Sequence, residues 1–379
     1  MRTYDAIVVG LGGMGSATLY HLALRGKRVL GLEQFSQGHH FGSSHGDSRV
    51  IREQYFEHPL YVPLVQRAYE LWRELEESHG HPLMTINGGL MIGPADGMVV
   101  SGTLRSAAEY NLPHEVFTGD ELHKRYAAFS LADGLVAVLD PHAGYLDPEA
   151  CTAAHVERGR RAGAEVHYDE PVREWTADGD GVRVTTSSGT YHAARLLLAA
   201  GGWNQKLLRE LTLPLKVERQ VAFWLQPQEG SPSYDKSRFP IYAYEFIPGL
   251  ICYGFPRLPH GVKSSIMHGG EIVSSPDEVR RTVDEEEIEP VRSALRAILP
   301  ELAEAAVTES SVCLFTNTPD HDFIVDYHPR YPQVLISSPC SGHGFKFASA
   351  IGELQADLLT TGTSRFDISP FQIDRFRDA

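Results

Sequence analysis

Cysteine is scarce in this chain. Four thiols, Cys151, Cys252, Cys313 and Cys340, are spread over 379 residues with no CxxC pair. That excludes a disulfide scaffold and offers no zinc-ligand spacing, so no metal site is expected. Positive charge is also short: 34 Lys and Arg face 49 Asp and Glu, a formal net charge of −15. That balance argues against a nucleic-acid partner, because a phosphate backbone needs clustered cations. An anionic small molecule is not, since one basic pocket suffices. No apolar run approaches the roughly 20 residues that cross a bilayer. The opening MRTYDAIVVG reaches its glycine turn too early for a signal peptide. A cytoplasmic protein with no membrane partner is therefore expected. Repeats and low-complexity linkers are absent too, which predicts interleaved domains.

What the chain does have is a glycine-led opening. Residues 4–10 (YDAIVVG) read as a buried parallel strand, 13–25 as a helix and 28–33 (RVLGLE) as a second strand. Gly10, Gly12 and Gly15 between them form a GxGxxG turn. The first permits the tight turn, the second lets a pyrophosphate approach the backbone, and the third lets helix and strand pack closely. The helix start offers unpaired N–H groups to phosphate. Glu33 ends the second strand where a carboxylate can accept hydrogen bonds from ribose hydroxyls. A dinucleotide is expected, and this stretch alone leaves NAD and FAD both open.

Further along, 59–80 predicts an amphipathic helix on Leu60, Leu64, Ala68, Leu71 and Leu75. A hairpin is expected to turn at Ser187–Gly189, strands fill 216–270, and the acidic run 277–305 reads as solvated surface helices. Two segments bear on the cofactor. One is the polar run GSSHGDSRVIR (42–52); the other is CSGHGFKFASAIGEL (340–354), a second glycine turn feeding a second helix. A flavin has a use for that return. Its N1–C2=O edge becomes negative on reduction, and a helix N-terminus with Lys346 nearby stabilises it.

These stretches, with SVCLFTNTPDHDFIVDYHP (311–329) and SGHGFKF (341–347), resemble the monomeric sarcosine oxidase and N-methyltryptophan oxidase family. That family lies within the D-amino-acid-oxidase-like FAD amine oxidoreductases. The resemblance implies an α/β fold: a glutathione-reductase-type, Rossmann-like FAD-binding domain interleaved with an α+β substrate domain on a mixed, largely antiparallel sheet. The expected parts are 1–85, 145–215 and 310–379 for FAD, and 86–144 and 216–309 for substrate.

By the same resemblance, FAD is tethered covalently through Cys313, while the other three cysteines are structural. Its binding residues are expected at Gly10, Gly12, Gly15, Glu33, Ser43, Ser44, Val172, Gly201, Cys313, Gly342, His343, Gly344, Phe345 and Lys346. Arg52 and Lys346 pair with a substrate carboxylate, a job for fixed cations. Arg49 supports the reduced flavin, with an ion pair to Asp47 as its plain alternative. Lys263 activates O2 by stabilising superoxide as it forms. Tyr253 lines the pocket, where Phe315 and Ser44 replace a tyrosine and a histidine of the sarcosine enzymes. Family members place a histidine four residues after the lysine, whereas His268 comes five after; one extra residue flips a strand side chain, so a bulge or a different register is required. The implied reaction oxidises a secondary amino acid, such as sarcosine or N-methyltryptophan, to an imine that hydrolyses, with O2 reduced to hydrogen peroxide. Alternatives are a cyclic imino-acid oxidase, a glycine- or D-amino-acid-oxidase-like enzyme, or a dehydrogenase passing electrons to a partner. The family leans to monomers.

Overall fold

The computed structural model describes residues 3–211, 213–228 and 230–376. Its first sheet grows around strand Thr3–Val9, which buries Ala6 to Val9 without interruption. A strand buried on both faces suits the centre of a parallel sheet. Val29–Leu32 and Thr190–Leu198 flank it in parallel, and Glu165–His167 and Tyr331–Ser338 extend the parallel core. Gly181–Thr185 pairs antiparallel with the first half of Thr190–Leu198. Thr186 N–H closes the turn between them on Gly189 O at 2.9 Å, the turn expected there. Helices Gly13–Leu24, Pro148–Arg161 and Ala348–Thr361 pack together on this sheet.

The amphipathic segment forms a 3-10 turn, Pro59–Tyr61, and a helix, Val62–His79, burying Leu64, Ala68, Leu71 and Leu75. Trp72 is fully buried on the same face. Its indole N–H donates to Lys346 O at 2.9 Å and fastens this helix to the second glycine turn.

The second sheet has nine strands. Its order runs Glu271–Val273, Lys216–Gln226, Gly261–Met267, Leu250–Leu258, Ile241–Ile247, Gly89–Pro94, Leu135–Asp140, Glu115–Thr118. Ile241–Ile247 runs parallel to Gly89–Pro94 and the other pairs are antiparallel. Strand Ala306–Asn317 lies along the whole of Lys216–Gln226. Residues 310–317, expected with the FAD-binding part, are thus hydrogen-bonded into the second sheet. The acidic run also differs from expectation. It forms short pieces, Glu285–Ile288, Glu289–Leu295 and Pro300–Ala303, and buries Val291, Leu295, Ile298, Leu299 and Leu302. Only its outer face is solvated. No helix among the described residues is long and apolar enough to cross a membrane.

Candidate active site

A cavity of about 550 Å3 opens where the parallel strands of the first sheet end. Gly10, at φ +89°, makes the first turn, and a Cβ on Gly15 would stand 1.8 Å from Gly10 O. The turn and its helix therefore touch, as the glycine spacing requires. No side chain caps the helix at Gly12, and its first N–H, on Gly13, donates to Ser44 Oγ at 2.9 Å. The N-terminus stays open toward the cavity, which suits a pyrophosphate. Glu33 accepts from Leu11 N–H at 2.8 Å and Phe35 N–H at 3.1 Å. A carboxylate has about four lone-pair sites, so ribose hydroxyls can still be accepted.

The second glycine turn meets the first. A Cβ on Gly13 would come within 3.0 Å of the Phe345 ring, and one on Gly344 within 1.8 Å of Pro339 O. Gly10, Gly12, Glu33, Ser43, Ser44, Val172, Gly201, Gly342, Gly344 and Phe345 all border the one cavity, together with Arg49 and Phe315. Gly15, Cys313, His343 and Lys346 do not border it. Gly15 packs beneath the turn; His343 and Lys346 lie buried behind the second one. These residues fit a dinucleotide reaching across both turns.

Cys313 is 8% exposed and sits two residues before Phe315 on the same strand. Residues i and i+2 of a strand share a face, so the thiol is on the side where Phe315 borders the cavity.

Lys263 projects from Gly261–Met267 and is buried. Its ammonium donates to Gly46 O, to Ser48 O at 3.0 Å and to Ser48 Oγ at 3.3 Å. The rings of Phe255 and Trp224 lie 5.0 and 5.4 Å from it. Burial, and then the charge of Arg49, pulls Lys263 down to about 7. Arg49 donates to Ser48 O and Ser43 O, both at 2.7 Å. The alternative pairing with Asp47 does not form, for that carboxylate instead accepts from Trp224 Nε1 at 3.0 Å. Among the described residues Arg49 therefore has no carboxylate partner. Tyr253 stands in the same neighbourhood, its phenol pushed up to about 12 by burial and then by Cys313.

Arg52 and Lys346 meet in a second buried group. Lys346 Nζ donates to His343 O at 2.6 Å, and burial followed by Arg52 pulls it down to about 7. Arg52 is packed between the Tyr55 and Phe56 rings, 4.2 and 3.8 Å from its guanidinium, and is ion-paired with Glu57. Burial alone would raise the Glu57 carboxyl, but Arg52, His343 and Lys346 hold it below the ordinary range. Two basic side chains thus share one carboxylate. His343, pulled down to about 4 by burial, stays neutral, with Nε2–H donating to His321 O at 3.0 Å and Nδ1 hydrogen-bonded to Tyr55 OH.

The His268 register has a specific resolution. Gly261–Met267 pairs with Lys216–Gln226 without a break, and the chain leaves the strand at His268 with φ +67°. A left-handed residue, not a bulge within this strand, redirects the ring. It lies 5.7 Å from Phe315 and 4.4 Å from His321, and Nδ1 is 3.4 Å from Glu218 Oε2.

Three neighbours carry no signal in the linear sequence. Glu57 engages Arg52, Glu218 engages His268, and Arg281 donates to Val312 O at 3.2 Å and Phe41 O at 2.7 Å beside the Cys313 strand. Each arrives through tertiary packing, and Arg281 came from a stretch that reads as plain surface.

A family model described as DAO, FAD dependent oxidoreductase, matches residues 5–358. The chain belongs to that family, and the cofactor of its glycine cradle is FAD. Within it, the chain is 41% identical to monomeric sarcosine oxidase of Streptomyces avermitilis, over 100% of this chain and 99% of that one. It is 34% identical to N-methyl-L-tryptophan oxidase of Salmonella agona, over 98% and 99%. Among solved structures, NikD, an unusual amino acid oxidase essential for nikkomycin biosynthesis, superimposes with a TM-score of 0.85 at 26% identity, covering 98% of each chain. L-proline dehydrogenase from P. horikoshii shares the fold with a TM-score of 0.85 at 20% identity, over 100% of this chain and 98% of that one.

Proposed function

We propose that this protein oxidises a secondary amino acid methylated on nitrogen, giving an imine that hydrolyses in water and reducing O2 to hydrogen peroxide. The observation that carries the reading is the make-up of the Arg52, Lys346 and Glu57 group: two buried basic side chains share a single half-buried carboxylate. With Lys346 protonated the group is one anion short, and a substrate carboxylate supplies it, favouring that protonated form. Arg52 can engage that carboxylate with two parallel hydrogen bonds, while Lys346 adds a point charge. Tyr253, Phe315 and His268 form the walls around the amine.

The chemistry that bound FAD supplies is two-electron oxidation at the substrate's C–N bond and delivery of those electrons to O2. Lys263 holds a cation in a low-dielectric site, where it favours a developing superoxide more than it would in water. Arg49 offers its unpaired charge to the reduced cofactor. Cys313 carries FAD as a thioether, supported by its shared face with Phe315 and by the family resemblance. Residues 1–85, 145–215 and 318–379 form the cofactor cradle, to which strand Ala306–Asn317 of the second sheet adds Cys313, and 86–144 with 216–309 build the substrate part. The enzyme works as a cytoplasmic monomer.

Purified protein is tested for peroxide release on sarcosine, N-methyl aromatic amino acids, pipecolate, proline and glycine. Turnover on an N-methyl amino acid with O2 alone is expected. Turnover only with an added electron acceptor would overturn the oxidase reading, and a preference for pipecolate or proline would move the substrate to cyclic imino acids.

A further inference from the structure

His268 is held by a carboxylate that has no exposed role. Glu218 lies on Lys216–Gln226 opposite Phe315 and is 3% exposed. One of its oxygens accepts from Gly270 N–H at 2.7 Å and Gln220 Nε2 at 2.8 Å. The other faces Asn317 Nδ2 and His268 Nδ1. Burial alone would raise the Glu218 carboxyl, yet the His268 contact, the Gly270 N–H and the Asn317 amide hold it below the ordinary range. Glu218 is therefore an acceptor on both oxygens.

Two consequences follow for His268. Its left-handed backbone is costly for a residue with a Cβ. Glu218 offsets that cost by gripping both the His268 ring and, two residues on, the Gly270 N–H. An ionised carboxylate at Nδ1 also demands a proton there, so in the neutral ring Nε2 carries the lone pair. That ring packs against the cavity wall: a Cβ on Gly342 would meet Phe315 at 2.7 Å and His268 Cε1 at 3.4 Å. The other titratable group on the ring is His321, at 4.4 Å between centroids. Its own charged form is disfavoured by burial and then by His268, with Glu218, Asp320 and Asp322 acting the other way.

We propose that Glu218 is a positioning residue: it turns His268 out of the strand register toward the substrate and fixes the Nδ1–H tautomer, leaving Nε2 to accept a hydrogen bond from the substrate amine N–H. The role of Nε2 rests on the amine-oxidase reading; the tautomer does not. Glu218 touches neither substrate nor cofactor, and acts through His268.

The test uses the holoenzyme labelled with 15N-histidine, with the His268 signals assigned by their loss in His268→Asn. At a pH where the ring is neutral, the wild-type protein is expected to show Nδ1–H at His268; a dominant Nε2–H form overturns the proposal even if no Glu218 variant folds. In anaerobic rapid mixing with an N-methyl amino acid, Glu218→Gln is expected to slow reduction about tenfold or more, on the scale of lost orienting partners. Its reoxidation by O2 should stay within about twofold. In a His268→Ala background the same change should add less than about twofold, because coupled residues are non-additive. A further tenfold loss in that background would contradict action through His268. Failure of every amine to reduce the wild-type protein would sink the functional reading, while the tautomer still decides Glu218.

Discussion

Two buried lysines sit in separate side-chain groups, and both are pulled down to about 7 chiefly by burial. Their surroundings differ. Lys263 rises from a strand of the second sheet and gives its hydrogens to the Gly46 and Ser48 oxygens, with aromatic rings beside it. Lys346 comes from the second glycine turn and shares its pocket with Arg52 and Glu57. Neutral oxygens solvate a charge without cancelling it, so Lys263, when protonated, keeps its positive charge uncompensated by these partners. Lys346 shares its pocket with Glu57, a carboxylate that balances part of the charge of the group. Under the proposed function, the same residue type, similarly buried, would serve a transient anion in one place and a stable carboxylate in the other.

The largest way to break this comparison is to remove the partner of Lys346. Arg52→Ala should weaken carboxylate-bearing ligands by about 2–5 kcal/mol, the cost of truncating one side of a buried charge pair. Titrating a carboxylate inhibitor against the flavin spectrum measures it, and an uncharged amine should lose little. Unchanged inhibitor affinity would place the carboxylate elsewhere.

A pH series sharpens the same point. Lys346 is half protonated near pH 7 in the free enzyme, and a bound carboxylate raises its pKa. Binding then takes up a proton above pH 7, and inhibitor affinity should fall by up to about 1.4 kcal/mol, roughly tenfold, per pH unit between about 7.5 and 9. Calorimetry in buffers of different ionisation enthalpy reads the proton directly. A flat profile with no uptake would mean that Lys346 does not touch the ligand.

The smallest expected effect is structural. Ser44→Ala removes the hydroxyl that accepts from Gly13 N–H, and should cost about 0.5–1.5 kcal/mol in denaturant unfolding with the carboxylate site unaffected. A change in inhibitor affinity would show that the two ends are not separable.

Much of this was readable from local pattern. Gly10, Gly12, Gly15 and Glu33 announce their roles through spacing on a strand, turn, helix and strand, since each acts within about twenty residues of the others. Lys263, Arg52, Lys346 and Cys313 were singled out by the family resemblance and not by local pattern. The partners that tune them were not readable. Glu57 reaches Arg52 through a loop, and Glu218 meets His268 from fifty positions away. Arg281 comes from an acidic run whose composition signals only solvent. Strand Ala306–Asn317 was divided at 310 in the sequence reading because nothing local says which sheet a buried apolar run will join. His268 escaped strand periodicity for a related reason: its left-handed turn is held by Glu218 and not by its own neighbours.

The most direct test of the account takes Lys263→Met and Lys346→Met through both half-reactions by anaerobic and aerobic rapid mixing. Lys263→Met should slow reoxidation of the reduced flavin by O2 by on the order of 10²–10³-fold, and leave substrate reduction within about tenfold. Lys346→Met should raise the substrate dissociation constant in the reductive half-reaction and leave reoxidation unchanged. Both variants impairing the same half-reaction would contradict the division of labour between the two lysines.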